Sequence, residues 1–170
     1  IPKPRQLLYL LEEEEPGSAI VFCNTRNETE VIAKYLCQNG LIAEAISGSF
    51  KQRERERVMS RIKGGELRFM VATDIAARGI DIDHLSHVYN YSLPEFSEVY
   101  LHRVGRTGRA GRSGTAISLV DGKGLGTYTV LEREFGVKFE EVELPEEGDI
   151  LRKRSVRIMK PSKGGTLAQE

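Results

Sequence analysis

The chain has 170 residues, 39% hydrophobic and 29% charged, with 25 basic and 25 acidic side chains and a formal net charge of zero. That is an ordinary soluble globular composition, long enough for one domain with a real core and a short tail. No apolar run reaches membrane-spanning length and no signal-peptide pattern opens the chain, so neither a membrane anchor nor export is expected.

The zero hides segregation. Residues 1–50, 51–118, 119–150 and 151–170 carry net charges of −3, +4, −6 and +5, so a phosphate-bearing partner is to be sought in the second segment. Cys23 and Cys37 lack metal-ligand spacing and read as reduced core residues of an intracellular, cytoplasmic protein. The chain opens on Ile1 rather than methionine and is expected to be a piece of a longer protein.

In chain order, Pro4 to about Glu14 reads as a helix through Leu7, Leu8, Leu10 and Leu11, ended by Pro16-Gly17. Ser18 to Cys23 is a continuous apolar run, as in a strand buried on both faces. Asn24-Thr25-Arg26-Asn27 turns into a helix to Asn39-Gly40 with Val31, Ile32, Tyr35 and Leu36 inward. Leu41 to Ile46 is a second strand, Ser47-Gly48-Ser49 a tight loop, and Lys51 to Arg61 a charged helix closed by Gly64-Gly65. Leu67 to Ala72 and His87 to Tyr91 are the third and fourth strands. Ser92-Leu-Pro-Glu95 has the form of a capping box opening a helix through Tyr100. Thr115 to Val120 is a buried strand, a helix runs to about Phe135, and Phe139 to Leu144 is an edge strand. Strands alternating with helices across short loops predict an α/β fold, a mostly parallel sheet covered on both faces. Ligands then belong where strands end, and Asn24-Thr25-Arg26, Ser47-Gly48-Ser49, Thr73-Asp74 and the arginine loop are expected on one rim.

Between Tyr100 and Arg112 lies the most informative stretch. Arg103, Arg106, Arg109 and Arg112 recur every three residues, with Gly105, Gly108 and Gly111 between them. Arginine is the forked, always charged partner of phosphate, and glycine lets backbone come close to a ligand. A solvated basic loop or an arginine-glycine tail is the plainer reading, but the apolar helix before and the strand after favour a built phosphate site. Val71 to Asp81 is the second such stretch: a strand ends in Thr73-Asp74 and a turn leads to Arg78-Gly79-Ile80-Asp81. Hydroxyls and free amides there suit phosphate and Asp81 suits a ribose hydroxyl, although a capped helix with a surface turn explains it as well. The charged helix with Gln52 and Arg55 is a weaker signal, of the kind a solvated face explains, and the basic tail Arg152-Lys153-Arg154 is weaker still, suited to grazing RNA or to serving as a basic linker.

Two motifs are missing from these 170 residues. Gly122-Lys-Gly-Leu-Gly126 lacks the spacing and hydroxyl of a phosphate-binding loop, and no Asp-Glu-Ala-Asp run occurs. A nucleoside triphosphatase needs a phosphate cradle and a magnesium carboxylate, so these arginines are expected to be half of a composite site.

Taken together, Ile20-Val-Phe-Cys-Asn-Thr25, Gln52-x-x-Arg55, Ala72 to Asp81 and His102-Arg-x-Gly-Arg-x-Gly-Arg109 resemble the C-terminal RecA-like domain of DEAD-box ATP-dependent RNA helicases, over about Ile1 to Leu144. The resemblance implies a RecA-like domain over residues 1–145, without its own phosphate loop, and a basic extension or linker over 146–170. It implies ATP with Mg2+ as cofactor, RNA as partner, and an N-terminal RecA-like domain of the same polypeptide holding the phosphate loop and Mg2+ site. The activity implied is an RNA-stimulated ATPase, a hydrolase acting on acid anhydrides, with this chain alone inactive.

Residue by residue, the resemblance implies that Arg106 and Arg109 reach the γ-phosphate, with Arg109 as the finger. Gly79 and Asp81 would hold the ribose, and His102 and Arg103 would couple the nucleotide and RNA sites. Thr25, Arg26, Gly48, Gln52, Arg55, Thr73 and Asp74 would line or brace an RNA-backbone face. Ser47 departs from the histidine common before that glycine. A stand-alone RNA-binding or regulatory module is the alternative, disfavoured because a pure binder needs no nucleotide arginines; a DNA helicase of the same superfamily is disfavoured by His102.

Overall fold

The computed structural model describes residues 2–78, 85–107, 114–144 and 157–161. α1 (Lys3–Glu14) starts on prolines, whose missing N–H is unneeded in a first turn, and ends where Glu15 turns left-handed (φ 45) ahead of Pro16. β1 (Ala19–Phe22) is buried on both faces, as its apolar run predicts. α2 (Arg26–Gln38), β2 (Ala43–Ile46), α3 (Gln52–Lys63), β3 (Phe69–Ala72), the single turn α4 (Asp74–Ala77), β4 (His87–Asn90) and α5 (Ser97–Val104) follow. β5 (Thr115–Val120), a 3₁₀ turn running into α6 (Leu125–Arg133), β6 (Phe139–Glu141) and β7 (Arg157–Pro161) complete the set.

The seven strands form one sheet in the order β2-β3-β1-β4-β5-β7-β6. The first five run parallel, with Ala19 opposite Phe69 and His87, and His87 opposite Thr115. β7 pairs antiparallel with both β5 and β6. Leucines of α1 and the Ile32, Ala33, Leu36 stripe of α2 cover one face. Val58 of α3 and Ala76 and Ala77 of α4 cover the other at β1–β3, while Tyr100 and Val104 of α5 and Leu131 of α6 continue that cover over β5. Helices therefore lie on both faces, and β6 is an edge strand as expected.

Four expectations are corrected. The Ser92–Glu95 capping box does not form, and α5 begins at Ser97 with Phe96 as an N-cap that makes no capping bond. The residue before Pro94 is biased against helix, and Leu93, Pro94 and Glu95 give their carbonyls to Asn24 and Thr127 instead. Val31 is 54% exposed, because Thr29, Ile32, Ala33 and Leu36 already make the i, i+3, i+4, i+7 stripe. Cys37 is exposed on that outer face, while Cys23 is buried. β7, inside the residues read as extension or linker, was not foreseen; its basic residues masked an Ile158-Met159 pair that is buried in the two cores.

Among the described residues β7 is the strand that joins β6 to the sheet, so its core contacts should matter. Ile158→Ala is expected to lower unfolding free energy by about 2–4 kcal/mol, as for other buried isoleucines, whereas the exposed Leu125→Ala should change it by less than about 0.5 kcal/mol. Urea denaturation of both variants checks this.

Candidate functional site

The carboxyl ends of β2, β3, β1 and β4 lie side by side, and the loops leaving them make a continuous rim. Thr25 follows β1 and caps α2, accepting from the Glu28 amide at 3.2 Å, while Glu28 Oε1 accepts from the Asn24 amide. Arg26 beside it is exposed and pairs with Glu30 at 3.6 Å. After β2, Ser47 and Ser49 share a hydroxyl bond at 2.8 Å around Gly48. A Cβ on Gly48 would come within 3.3 Å of Ile75, so glycine lets this loop sit against α4. Arg55 braces the loop by donating to the carbonyls of Phe50 (3.2 Å) and Gly48 (3.3 Å), while Gln52 faces Glu56. After β3, Thr73 caps α4 through the Ala76 amide. Six of the seven residues expected on a backbone-binding face reach this rim by their loops or the first turns of their helices, and Asp74, the seventh, turns inward.

Asp74 turns inward to Arg103, which is 2% exposed. Arg103 Nε donates to Asp74 Oδ1 at 2.7 Å and Nη2 to Oδ2 at 2.8 Å, a bidentate fork. Nη2 also donates to Asn24 Oδ1 at 2.8 Å. Nη1 donates to Asn90 Oδ1 at 3.2 Å and the Ser92 carbonyl at 2.8 Å. All five N–H groups of the guanidinium are thus used, and its plane lies 5.1 Å from the Phe22 ring. Asn90, wholly buried, passes the network on by donating to Ser118 at 3.0 Å. One side chain of α5 therefore ties the ends of β1, β3 and β4, and through Asn90 reaches β5. Asn90 and Ser118 escaped the sequence reading, which placed Asn24 on the rim without a partner, although an asparagine inside the apolar Val88–Tyr91 run was a visible signal of a buried polar partner.

Arg106 and Thr107 lie elsewhere. Leu85, just before β4, donates its amide to the Arg106 carbonyl at 3.2 Å and bridges Thr107. The end of the arginine helix is therefore at the amino end of β4, opposite the rim, which corrects the expectation of one shared rim; α5 crosses the sheet from one end to the other. Arg106 is half-buried and donates to the Ala77 carbonyl at 3.1 Å. His102 is exposed on α5. Gly79, Asp81 and Arg109 lie outside the described residues.

A cavity of about 610 Å³ opens beside the rim between Thr25 and Glu28 on α2, Leu93 and Glu95 after β4, and Asp121 and Lys123 after β5. Lys3 closes its floor, donating to Ser92 Oγ at 3.1 Å and Asp121 at 3.2 Å over the Tyr91 ring. A Cβ on Gly124 would lie 3.3 Å from Leu93, so this wall is close-packed at the glycine. Burial works against the Asp121 carboxylate, but Lys3 and the amides of Gly124 and Lys123 outweigh it and hold the carboxyl below its ordinary value of 3.8. Burial pushes the Cys23 thiol well up, helped by Glu28 and opposed by Arg103 and Lys3, so it stays protonated and is no nucleophile.

Two expectations follow from these geometries. Arg103→Lys cannot fill the five acceptor bonds and should cost about 3–5 kcal/mol in urea denaturation, while His102→Ala should stay within about 0.5 kcal/mol. Because the folded Asp121 carboxyl is depressed, its contribution is present above the ordinary carboxylate value and lost as pH falls through the folded one. Asp121→Asn should therefore lower the melting temperature near pH 7, and the gap to the parent should close below about pH 4.

Among known proteins, the profile described as "Helicase conserved C-terminal domain" matches residues 2–111. ATP-dependent RNA helicase DeaD of Mycobacterium tuberculosis (strain CDC 1551 / Oshkosh) is 42% identical over 152 residues, covering 89% of this chain and 27% of the relative. The chain thus spans about a quarter of that relative's length. E. coli DEAD-box protein SrmB, solved bound to the regulator of ribonuclease activity A, is 43% identical with a TM-score of 0.66 over 69% of each chain. S. cerevisiae Dbp5, solved with RNA and ADP BeF3, is 31% identical with a TM-score of 0.72, covering 89% of this chain and 40% of that one. With a sheet and helix order that match these RecA-like domains, the chain belongs to the helicase conserved C-terminal domain family, as a C-terminal domain of the DEAD-box type.

Proposed function

We propose that this chain is the second RecA-like half of an ATP-dependent RNA helicase, which closes with an N-terminal RecA-like domain of the same polypeptide over ATP and RNA and couples hydrolysis to duplex unwinding. The observation that carries this reading is the Arg103 lock. It makes one rigid body of the rim at one end of the sheet and of α5, which leads to Arg106 at the other. A helicase needs that rigidity, because domain closure must place an RNA face and a nucleotide arginine at once.

The residues present fit a nucleotide only in part. Arg106 offers a forked, half-buried cation at a helix end and would hold a phosphate oxygen. Asp74 is engaged by both forks of Arg103, so it is unsuited to Mg2+, and the metal and phosphate cradle are assigned to the N-terminal domain. ATP, when bound, supplies the phosphoanhydride that hydrolysis breaks. In this reading Arg109 stabilises charge developing on the transferred phosphoryl group, Gly79 and Asp81 hold the ribose, and His102 bridges the domains. Thr25, Arg26, Gly48, Gln52, Arg55 and Thr73 hold RNA by its backbone, so binding weakens steadily as salt rises. The RecA-like unit runs over 1–145, with 146–170 as an extension that returns one strand to the sheet.

In the full-length enzyme, Arg109→Ala should lower ATP turnover by about 10³–10⁵-fold, with nearly normal nucleotide affinity and melting temperature. Arg109→Lys should restore little. The isolated chain should show no RNA-stimulated hydrolysis. A lowered melting temperature with turnover intact would make Arg109 a structural residue, and RNA-stimulated turnover by the isolated chain would overturn the half-site reading.

A further inference from the structure

We propose that the cavity between α2 and the turns after β4 and β5 is a binding site for a guanidinium group, the head of an arginine side chain. Carboxylates line it from three elements: Glu28 on α2, Glu95 after β4 and Asp121 after β5. The cations lining it are Lys3 and Lys123, and Lys3 is already engaged by Asp121 and the Ser92 hydroxyl. Glu28 accepts from the Asn24 amide through one oxygen; its other oxygen and the Glu95 carboxylate have no hydrogen-bond partner among the described residues. Such a lining repels a polyanion and favours a cation.

Tyr91 points to the same ligand independently. It is 7% exposed and lines this cavity, yet its hydroxyl has no hydrogen-bond partner among the described residues. Lys3 Nζ lies 4.6 Å from the centre of its ring, so the aromatic face is taken and the hydroxyl is what remains to offer. Burial, and after it Glu28 with Asp121 adding, pushes the hydroxyl well above its ordinary value, so it stays protonated. Both of those carboxylates line the cavity, which puts the hydroxyl on its acidic side. A buried hydroxyl is nearly always bonded, because leaving it bare costs its desolvation. A ligand that donates N–H groups satisfies it and the carboxylates together.

These acceptors select guanidinium over ammonium. They stand on separate walls, and a planar fork with five N–H donors reaches several of them at once. An ammonium is a point charge, and Lys3 already fills that place. At about 610 Å³ the cavity is in the range that takes small organic groups. Its walls are fixed beforehand. Asn24 and Thr127 hold the carbonyls of Leu93, Pro94 and Glu95, while Lys3 and the amides of Lys123 and Gly124 hold Asp121. A site so preorganised gives up little freedom on binding.

The chain can be titrated with the peptide acetyl-Gly-Arg-Gly-amide while the amide resonances of Gly124 and Gly126 are followed by NMR. Saturable shifts are expected, with weaker binding of the lysine peptide and none of the citrulline peptide, which keeps the shape of arginine without its charge. Tyr91→Phe removes only the hydroxyl and should weaken binding of the arginine peptide about 10–150-fold with the melting temperature unchanged. Glu95→Gln, at an exposed carboxylate, should weaken it about 2–5-fold. Methylguanidine distinguishes the source of the group: weaker binding than the arginine peptide assigns the site to a protein segment, equal or tighter binding assigns it to a free guanidine, and either supports a guanidinium site. Equal shifts with the arginine and citrulline peptides, no saturable shift with any of these ligands, or undiminished binding in Tyr91→Phe would overturn the proposal. A lowered melting temperature in Tyr91→Phe would make the hydroxyl a structural group and overturn its part in the site.

Discussion

Five hydrogen bonds from one buried guanidinium hold the working end of this domain together. Arg103 comes from α5, yet its acceptors sit on the turn after β1, the start of α4, the last residue of β4 and the loop beyond it. A buried charge is tolerable only when paired and fully bonded, and here the pairing is bidentate with three neutral acceptors filling the remaining donors. The arrangement is specific because none of those four segments can shift without leaving a buried N–H unpaired. The rim loops after β1, β3 and β4 are tied to one another through it, while the loop after β2 is braced separately by Arg55.

That architecture separates two kinds of chemistry along one helix. The carboxyl rim carries capped helix starts, the exposed Arg26 and the loop braced by Arg55, while Arg106 ends up at the amino end of β4. α5 spans the distance and is fixed near its carboxyl end by the Arg103 fork. Along the sequence, the segment running through the arginine stretch is net positive and the α6–β6 segment net negative.

Much of this was legible in the sequence. Continuous apolar runs gave β1, β3 and β5, helical periodicity gave α1 and α2, and the order of motifs led to the family. Side-chain destinations were less legible. Arg103 has the same spacing as Arg106 and Arg109, and nothing in a three-residue repeat says which arginine turns inward; burial is decided by Asp74 and Asn24, distant in sequence. The capping box failed because tertiary bonds from Asn24 and Thr127 claimed its carbonyls. β7 was hidden because two apolar residues, Ile158 and Met159, sit inside a basic segment, and Gly79, Asp81 and Arg109 lie outside the described residues.

A double-mutant cycle between Arg103 and Asp74 tests the central role of the lock most directly. Arg103→Lys, Asp74→Asn and the double variant would be compared by urea denaturation under one set of conditions. The account predicts strong coupling, with the double variant falling short of the summed single losses by about 1–3 kcal/mol. Losses that add to within about 0.5 kcal/mol would mean that the two side chains stabilise the fold independently, and that the rim does not hang on this pair.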